Sequence, residues 1–346
     1  MAKGLDVGTM NIICAEKEGD STVFAQERNS FLEIDASDLT KSMLDMAKVL
    51  YIEKEDKFHI LGEDAFKFAN VFARNARRPM KHGIISPEEK ESIPMIKLII
   101  EKVLSKPTTH NELCCISTPA NPIDSNMNVL YHKRTIEALA KRLNYDTQVI
   151  DEALAVIYSE LGKHSFTGVG VSVGAGLTNV TVAYMATPIV SFSISRGGDW
   201  IDEQVSIATG LTKERVTSIK EKNFSLTTEF EVGSVEGALS VYYDALITYI
   251  IQNLKKKLSE VTPPETEFPI AIAGGSTRPR GFNDVFENRL REANLPIDIS
   301  KINKAKDPIY TIARGCLIAA LTKQGETTAA SQKKPQEQKE AKSSSK

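Results

Sequence analysis

The run Asp6-Val7-Gly8-Thr9-Met10-Asn11 sets a carboxylate and a glycine turn between an apolar strand and a second one, Ile12-Ile13-Cys14-Ala15. Such a hairpin can hold a nucleotide phosphate. The glycine lets backbone N–H groups approach phosphate oxygens, and the carboxylate can hold the waters around Mg²⁺. Alone the pattern is weak, because any acidic residue ahead of a tight hairpin turn produces it. The chain repeats it. Val169–Val173, then Gly174-Ala175-Gly176-Leu177-Thr178-Asn179, then Val180–Ala183 again reads strand, glycine turn, strand. A third strand, Ile189–Ile194, follows, as Val23–Gln26 follows the first hairpin. Two halves that begin alike predict an internal duplication with a cleft between them.

The elements that must position these turns can be read along the chain. Residues 1–35 alternate like consecutive strands, with turns at Glu18-Gly19-Asp20 and Arg28-Asn29-Ser30. Residues 36–75 are more polar and irregular, as expected of a small inserted subdomain. Pro87-Glu88-Glu89 opens a helix carrying Ile93, Ile96, Ile99, Ile100 and Val103 at helical spacing. Leu113–Ser117 is a buried strand ended by Thr118-Pro119; a long helix to about Leu143, a strand to Ile150 and a helix from Asp151-Glu152 follow. Gly233 to Leu258 reads as one amphipathic helix, with Lys255-Lys256-Lys257 suited to its C-terminal dipole. Phe268–Ala273 is a strand running into Gly274-Gly275-Ser276.

Bulk properties narrow the function classes. At 346 residues the chain is longer than one core usually serves, so two domains are expected. A net charge of −2 gives no basic field for nucleic acid, and none is expected as a partner. No apolar run reaches a membrane span, and the start lacks signal-peptide organisation and an amphipathic anchoring helix. Cys14, Cys114, Cys115 and Cys316 sit in apolar contexts without a C-x-x-C, which suggests reduced core thiols in a cytoplasmic protein. Five scattered histidines offer no metal-ligand spacing. Gly168-x-Gly170-x-x-x-Gly174 has the wrong spacing for a dinucleotide fingerprint and is followed by a strand; no P-loop motif is present.

Four segments now stand in order: the two hairpins, Arg196-Gly197-Gly198-Asp199-Trp200-Ile201-Asp202, and Ala273-Gly274-Gly275-Ser276-Thr277-Arg278-Pro279. Together they resemble the actin/heat-shock chaperone/sugar kinase ATPase superfamily, most of all the MreB-like and MamK-like prokaryotic actins. Arg78-Pro79-Met80-Lys81-His82-Gly83-Ile84-Ile85, Ile116-Ser117-Thr118-Pro119-Ala120, Asp151-Glu152-Ala153-Leu154-Ala155 and the stretch from Lys306-Asp307-Pro308 to Ala313-Arg314-Gly315 are similar to further family segments. The resemblance covers about residues 2–321 and lies in many weak motifs in the right order.

The resemblance implies an α/β protein of two duplicated lobes with the actin-like (ribonuclease H-like) fold and an ATP cleft between them. Lobe I would be residues 1–150, with an inserted subdomain at about 33–75; lobe II would be 151–322, with a reduced insert and a last helix (about 308–322) returning to lobe I. The Lys/Gln/Glu/Ser tail, 323–346, is expected to be disordered. Gly8, Thr9, Met10 and Asn11 would hold the β-phosphate side, Asp6 would hold Mg²⁺ through water, and Gly174, Ala175, Gly176 and Thr178 would form the facing hairpin. Glu152 would orient the attacking water. Lys220 and Glu221 would lie beside adenine and ribose, and Gly274 and Gly275 would let backbone close over adenosine. Gly198, Ser276 and Arg278 complete the nucleotide-binding set.

Two departures matter. Ser172 stands where the family carries an aspartate, and Leu177 where it carries a threonine. A serine brings no negative charge to the metal, so this catalytic position should support binding better than hydrolysis. The stretch from Lys220 to Gly233 is short, so the upper part of lobe II looks trimmed. The resulting expectation is an ATP- and Mg²⁺-binding cytoplasmic protein that polymerises with itself, alone or with a cargo or membrane adaptor, and turns ATP over slowly. A monomeric chaperone-like or regulatory nucleotide sensor is the alternative, and a small-molecule kinase the third.

Overall fold

The computed structural model describes residues 2–325, apart from residues 73, 111, 223 and 228 and the side chain of residue 70. The expected disordered tail lies outside the described residues from 326 onward. The chain opens with β1 (Ala2–Val7), β2 (Asn11–Glu18) and β3 (Ser21–Arg28), paired antiparallel in that order. Alternation decides their faces: Leu5, Val7, Ile12 and Cys14 enter one core cluster, whereas Ala2, Ile13 and Ala15 enter another.

The insert is more ordered than its polarity suggests. β4 (Phe31–Asp35), α1 (Asp38–Met46), β5 (Tyr51–Lys54), β6 (Lys57–Leu61) and α2 (Gly62–Val71) build a separate sheet in the order β4-β6-β5. Leu32, Ile34, Leu44, Phe58 and Ile60 form its core. The β5–β6 turn is Glu55-Asp56, with both φ positive at 50° and 58°. Such turns usually announce themselves by Asn-Gly, so this hairpin left no local signal.

β7 (Met80–Lys81) and β8 (Ile84–Ile85) form a short hairpin turning at His82 and Gly83, again with positive φ. α3 (Ser92–Val103) follows. It starts at Ser92 rather than at Pro87, because Pro94 fits only a first turn, where its missing N–H is not needed. β9 (Leu113–Thr118) leads to α4 (Leu130–Arg142) and β10 (Asp146–Asp151). The helix expected straight after Pro119 begins only at Leu130. Residues 121–123 are drawn instead to β13 below, with Ile123 N donating to Ser193 O at 3.0 Å and Ser193 N to Asn121 O at 3.0 Å.

After α5 (Glu152–Glu160) the pattern restarts with β11 (Gly168–Val173), β12 (Thr178–Tyr184) and β13 (Thr187–Ile194). Then come α6 (Gly198–Thr209), α7 (Lys213–Lys222), α8 (Val235–Leu258), β14 (Ile270–Ala273), α9 (Phe282–Ala293) and β15 (Ile302–Lys304). Residues 311–325 form a closing helix, α10. The two large sheets have equivalent orders, β3-β2-β1-β9-β10 and β13-β12-β11-β14-β15. In each, an antiparallel hairpin is followed by two parallel strands.

α5 and α10 pack with the inner faces of both sheets in one cluster, including Ala155, Ile157, Ala313, Cys316, Ala2 and Ala271. Close approach explains two glycines. A Cβ on Gly4 of β1 would lie 2.2 Å from Ala313 O, and one on Gly315 of α10 would lie 1.8 Å from Ala155 O. Among the described residues no helix is long and apolar enough to cross a membrane.

Candidate functional site

Both glycine hairpins close the same way. Gly8 N donates to Asn11 O at 3.0 Å, and Gly174 N donates to Leu177 O at 2.9 Å. The glycine amides are therefore spent inside their own turns, while the N–H groups of Thr9, Met10, Ala175 and Gly176 have no acceptor among the described residues. These four are the donors that an anion between the hairpins would meet. Asn29, which the sequence marked only as a turn, clamps the first hairpin: its Nδ2 donates to Gly8 O at 2.9 Å and its backbone N to Met10 O at 2.9 Å.

The hairpins face each other across a cleft of about 610 Å³. It is lined by Asp6, Gly8, Thr9, Met10 and Asn11 from one side, and by Ser172, Gly174, Ala175 and Gly176 from the other. Glu152, Gly198, Lys220, Glu221, Gly274, Gly275, Ser276 and Arg278 line it as well. Thr178 does not. Its side chain is buried and donates to Arg196 O at 2.8 Å, tying β12 to the segment before α6. Gly274 and Gly275 divide their tasks. A Cβ at Gly274 would lie 2.3 Å from Val173 O, so its need for glycine comes from β11, whereas Gly275 has open space.

Where the hairpins face each other, the carboxyls of Asp6, buried, and Glu152, half-buried, lie within electrostatic reach of each other. Asp6 Oδ1 accepts a hydrogen bond from Ser117 Oγ at 2.7 Å, and Glu152 Oε2 accepts one from Asn179 Nδ2 at 2.9 Å. Burial pushes both acids above the usual carboxylate range; the Asp6 carboxylate raises Glu152 further. Asn179 also accepts from Ala120 N at 3.0 Å, so one amide joins lobe I, lobe II and the first residue of α5. Ser172 is fully buried in the cleft wall, and its Oγ has no partner among the described residues.

That set fits a Mg²⁺ delivered with nucleotide phosphates and keeping its waters, since such ions use only one or two protein carboxylates. It does not make a cage from protein alone: among the described residues no group of three or more His, Cys, Asp or Glu could hold a metal. A cation here would favour the ionised forms of Asp6 and Glu152, against the burial that raises them.

The other end is built on an ion pair that the sequence did not assign. Lys220 Nζ lies 2.7 Å from Asp202 Oδ1 and donates to Gly198 O at 2.9 Å, and Thr217 Oγ1 donates to Asp202 Oδ2 at 2.7 Å. Asp202 closes the Arg196–Asp202 segment, so a local signal existed without a partner to explain it. Ser276 Oγ donates to Gly174 O at 2.8 Å, linking this end to the second hairpin. Phe224 and Tyr243, stacked with centroids 5.6 Å apart, also line the cleft, and the sequence analysis singles out neither.

Solved structures share this architecture. A MamK double helical filament superposes with a TM-score of 0.69 at 19% identity, over 92% of this chain and 98% of the other. MreB5 of Spiroplasma citri bound to AMPPNP gives 0.67 at 17% identity, over 95% and 98%. A non-polymerising MamK mutant bound to AMPPNP gives 0.58 at 18%, over 92% and 98%. At these identities the likeness is one of fold, and the fold is the actin-like two-lobed one. The family model described as Volactin matches residues 1–320, nearly the whole described chain, and the protein belongs to the volactin family.

Proposed function

We propose that this chain binds ATP with Mg²⁺ between its lobes and assembles with itself into actin-like filaments, hydrolysing nucleotide slowly. The observation that carries the reading is the pair of equivalent glycine hairpins facing one cleft, with Asp6 and Glu152 at their meeting point. The fold neighbours support it: the MamK structure is a filament, and MreB5 was solved with AMPPNP and with ADP. A cytoplasmic setting follows from the same reading, in which the polymer is a cytoskeletal element.

The residues have separable tasks. The N–H groups of Thr9, Met10, Ala175 and Gly176 grip the phosphates, and Asp6 orients the waters of the metal. Lys220, held by Asp202, and Glu221 address the nucleoside, with Arg278 at the mouth. Glu152, steered by Asn179, holds the attacking water in line, a positioning task more than a strongly basic one. When bound, Mg²⁺ neutralises charge on the phosphates. Ser172 adds no charge at its position, which favours occupancy over turnover.

Calorimetric titration with Mg²⁺ and ATP tests the binding half. One site per chain is expected, and Gly275→Trp should abolish it without lowering the melting temperature, because a side chain there enters open cleft. Absence of binding in the wild type, or full binding in the variant, contradicts the assignment.

A further inference from the structure

Arg78 and Asp199 are 121 residues apart and belong to different lobes, yet they form a two-pronged pair. Arg78 Nη1 donates to Asp199 Oδ1 at 3.1 Å and Oδ2 at 2.9 Å, and Nη2 donates to Oδ1 at 3.2 Å. A planar fork of this kind fixes direction as well as charge. Among the described residues, no other ion pair within 4.0 Å joins residues 2–150 to residues 151–325.

Each partner is tied to a glycine hairpin. In lobe II, Gly198 N donates to Gly174 O at 3.0 Å and Asp199 N to Ala175 O at 2.9 Å, so the backbone carrying Asp199 moves with the second hairpin. In lobe I, Arg78 leads into β7 and β8, whose Gly83 N donates to Thr9 Oγ1 of the first hairpin at 3.1 Å. Leu177 packs against the same turn: a Cβ on Gly83 would fall 2.3 Å from Leu177 Cδ1. The chain of contacts runs from Thr9 through Gly83, Arg78 and Asp199 to Ala175, and it closes over the space between the hairpins.

The lobes are also joined where residues 120–123 meet β12 and β13. Those bonds involve backbone groups: Ala120 N to Asn179 Oδ1, Ser193 N to Asn121 O, and Ile123 N to Ser193 O. The Arg78 and Asp199 side chains are instead 35% and 29% exposed, so water can replace either partner at little cost. One junction has the character of a pivot and the other of a catch.

We propose that Arg78–Asp199 is a latch across the cleft, whose release lets the lobes part about the 120–123 junction and speeds escape of a nucleotide held between the hairpins. The escape of nucleotide rests on the function proposed above; the parting of the lobes does not.

The test uses full-length protein with spin labels at Leu39→Cys on the insert and Val232→Cys before α8, both strongly exposed, while the four native cysteines are buried. Without nucleotide, Arg78→Ala and Asp199→Ala should lengthen and broaden the inter-label distance. The reversed pair, Arg78→Asp with Asp199→Arg, should narrow it again, with melting curves confirming that all variants fold. Unchanged distances in folded Arg78→Ala protein would overturn the latch; if either single variant fails to fold, the reversed pair decides by keeping or losing the wild-type distance. In parallel, a fluorescent ATP analogue with Mg²⁺ should dissociate about fivefold faster from Arg78→Ala, a residue outside the cleft lining. If the wild type does not bind the analogue, the nucleotide reading fails while the distances still judge the latch.

Discussion

Asp6 and Ser172 occupy equivalent positions in the two hairpins, each two residues before the glycine whose N–H closes the turn. Their strand registers agree as well, Asp6 opposite Ile13 and Ser172 opposite Asn179. The duplicated frame therefore presents a carboxylate from lobe I and an uncharged hydroxyl from lobe II to the same space. This asymmetry ties the sequence departure to a chemical expectation, strong retention of nucleotide with weak turnover.

Replacing the hydroxyl by the acid should shift that balance. Ser172→Asp is expected to speed phosphate release while ATP affinity stays within about a few-fold, the pattern of an interaction made mainly in the transition state. It also adds a carboxyl at a fully buried position near Asp6 and Glu152, so the free protein should melt at a lower temperature and recover with Mg²⁺ and ATP. Steady-state phosphate assays and thermal melts read both effects. An unchanged rate would remove Ser172 from the catalytic account.

Glu152 and Asn179 should separate chemistry from binding. Glu152→Ala is expected to retain ATP and to lose the remaining hydrolysis, measured by calorimetry and single-turnover phosphate release. Asn179→Ala leaves Glu152 ionisable but unsteered, so kcat should fall with KM nearly unchanged. Lost ATP binding in Glu152→Ala would assign that side chain a structural role instead.

The seating of α10 on β1 makes a stability prediction. Gly4→Ala forces a methyl against Ala313 O and Leu317 N, both backbone atoms that cannot step aside. The expected cost is about 3 kcal/mol or more, the range of severe overpacking. A variant that melts with the wild type would contradict this packing.

His132 gives a pH signature away from the cleft. It is buried on α4, neither ring nitrogen has a partner among the described residues, and burial lowers its pKa from 6.5 to about 4. The unfolded chain then takes up the proton first, so this contribution is complete above about pH 6.5 and is lost as pH falls toward about 4. The full loss is about 3 kcal/mol. Denaturant melts of wild type and His132→Leu should converge in pH dependence elsewhere and differ in this window; parallel curves throughout would refute the assignment.

What the sequence made legible was local and periodic. Gly8 and Gly174 each sit between apolar strands, so the repeated hairpin is legible directly. Positions decided by distant partners could not. Thr178 is a cleft residue by the resemblance alone, and its hydroxyl turns to Arg196 O. Asn29 holds the Gly8 turn through contacts 21 and 19 residues back. The sequence reads a helix directly after Pro119 because the pairing of residues 121–123 with Ser193 of β13, some 70 residues later, has no local mark. Glu55-Asp56 hid a strand pair because its side chains do not advertise a left-handed turn.

The central claim is assembly controlled by nucleotide, and negative-stain electron microscopy of the purified protein with Mg²⁺, with and without ATP, tests it most directly. The account predicts filaments that appear or lengthen when ATP is added. Uniform single particles across a range of protein and salt concentrations, in protein shown to bind ATP, would contradict it and favour a monomeric nucleotide sensor.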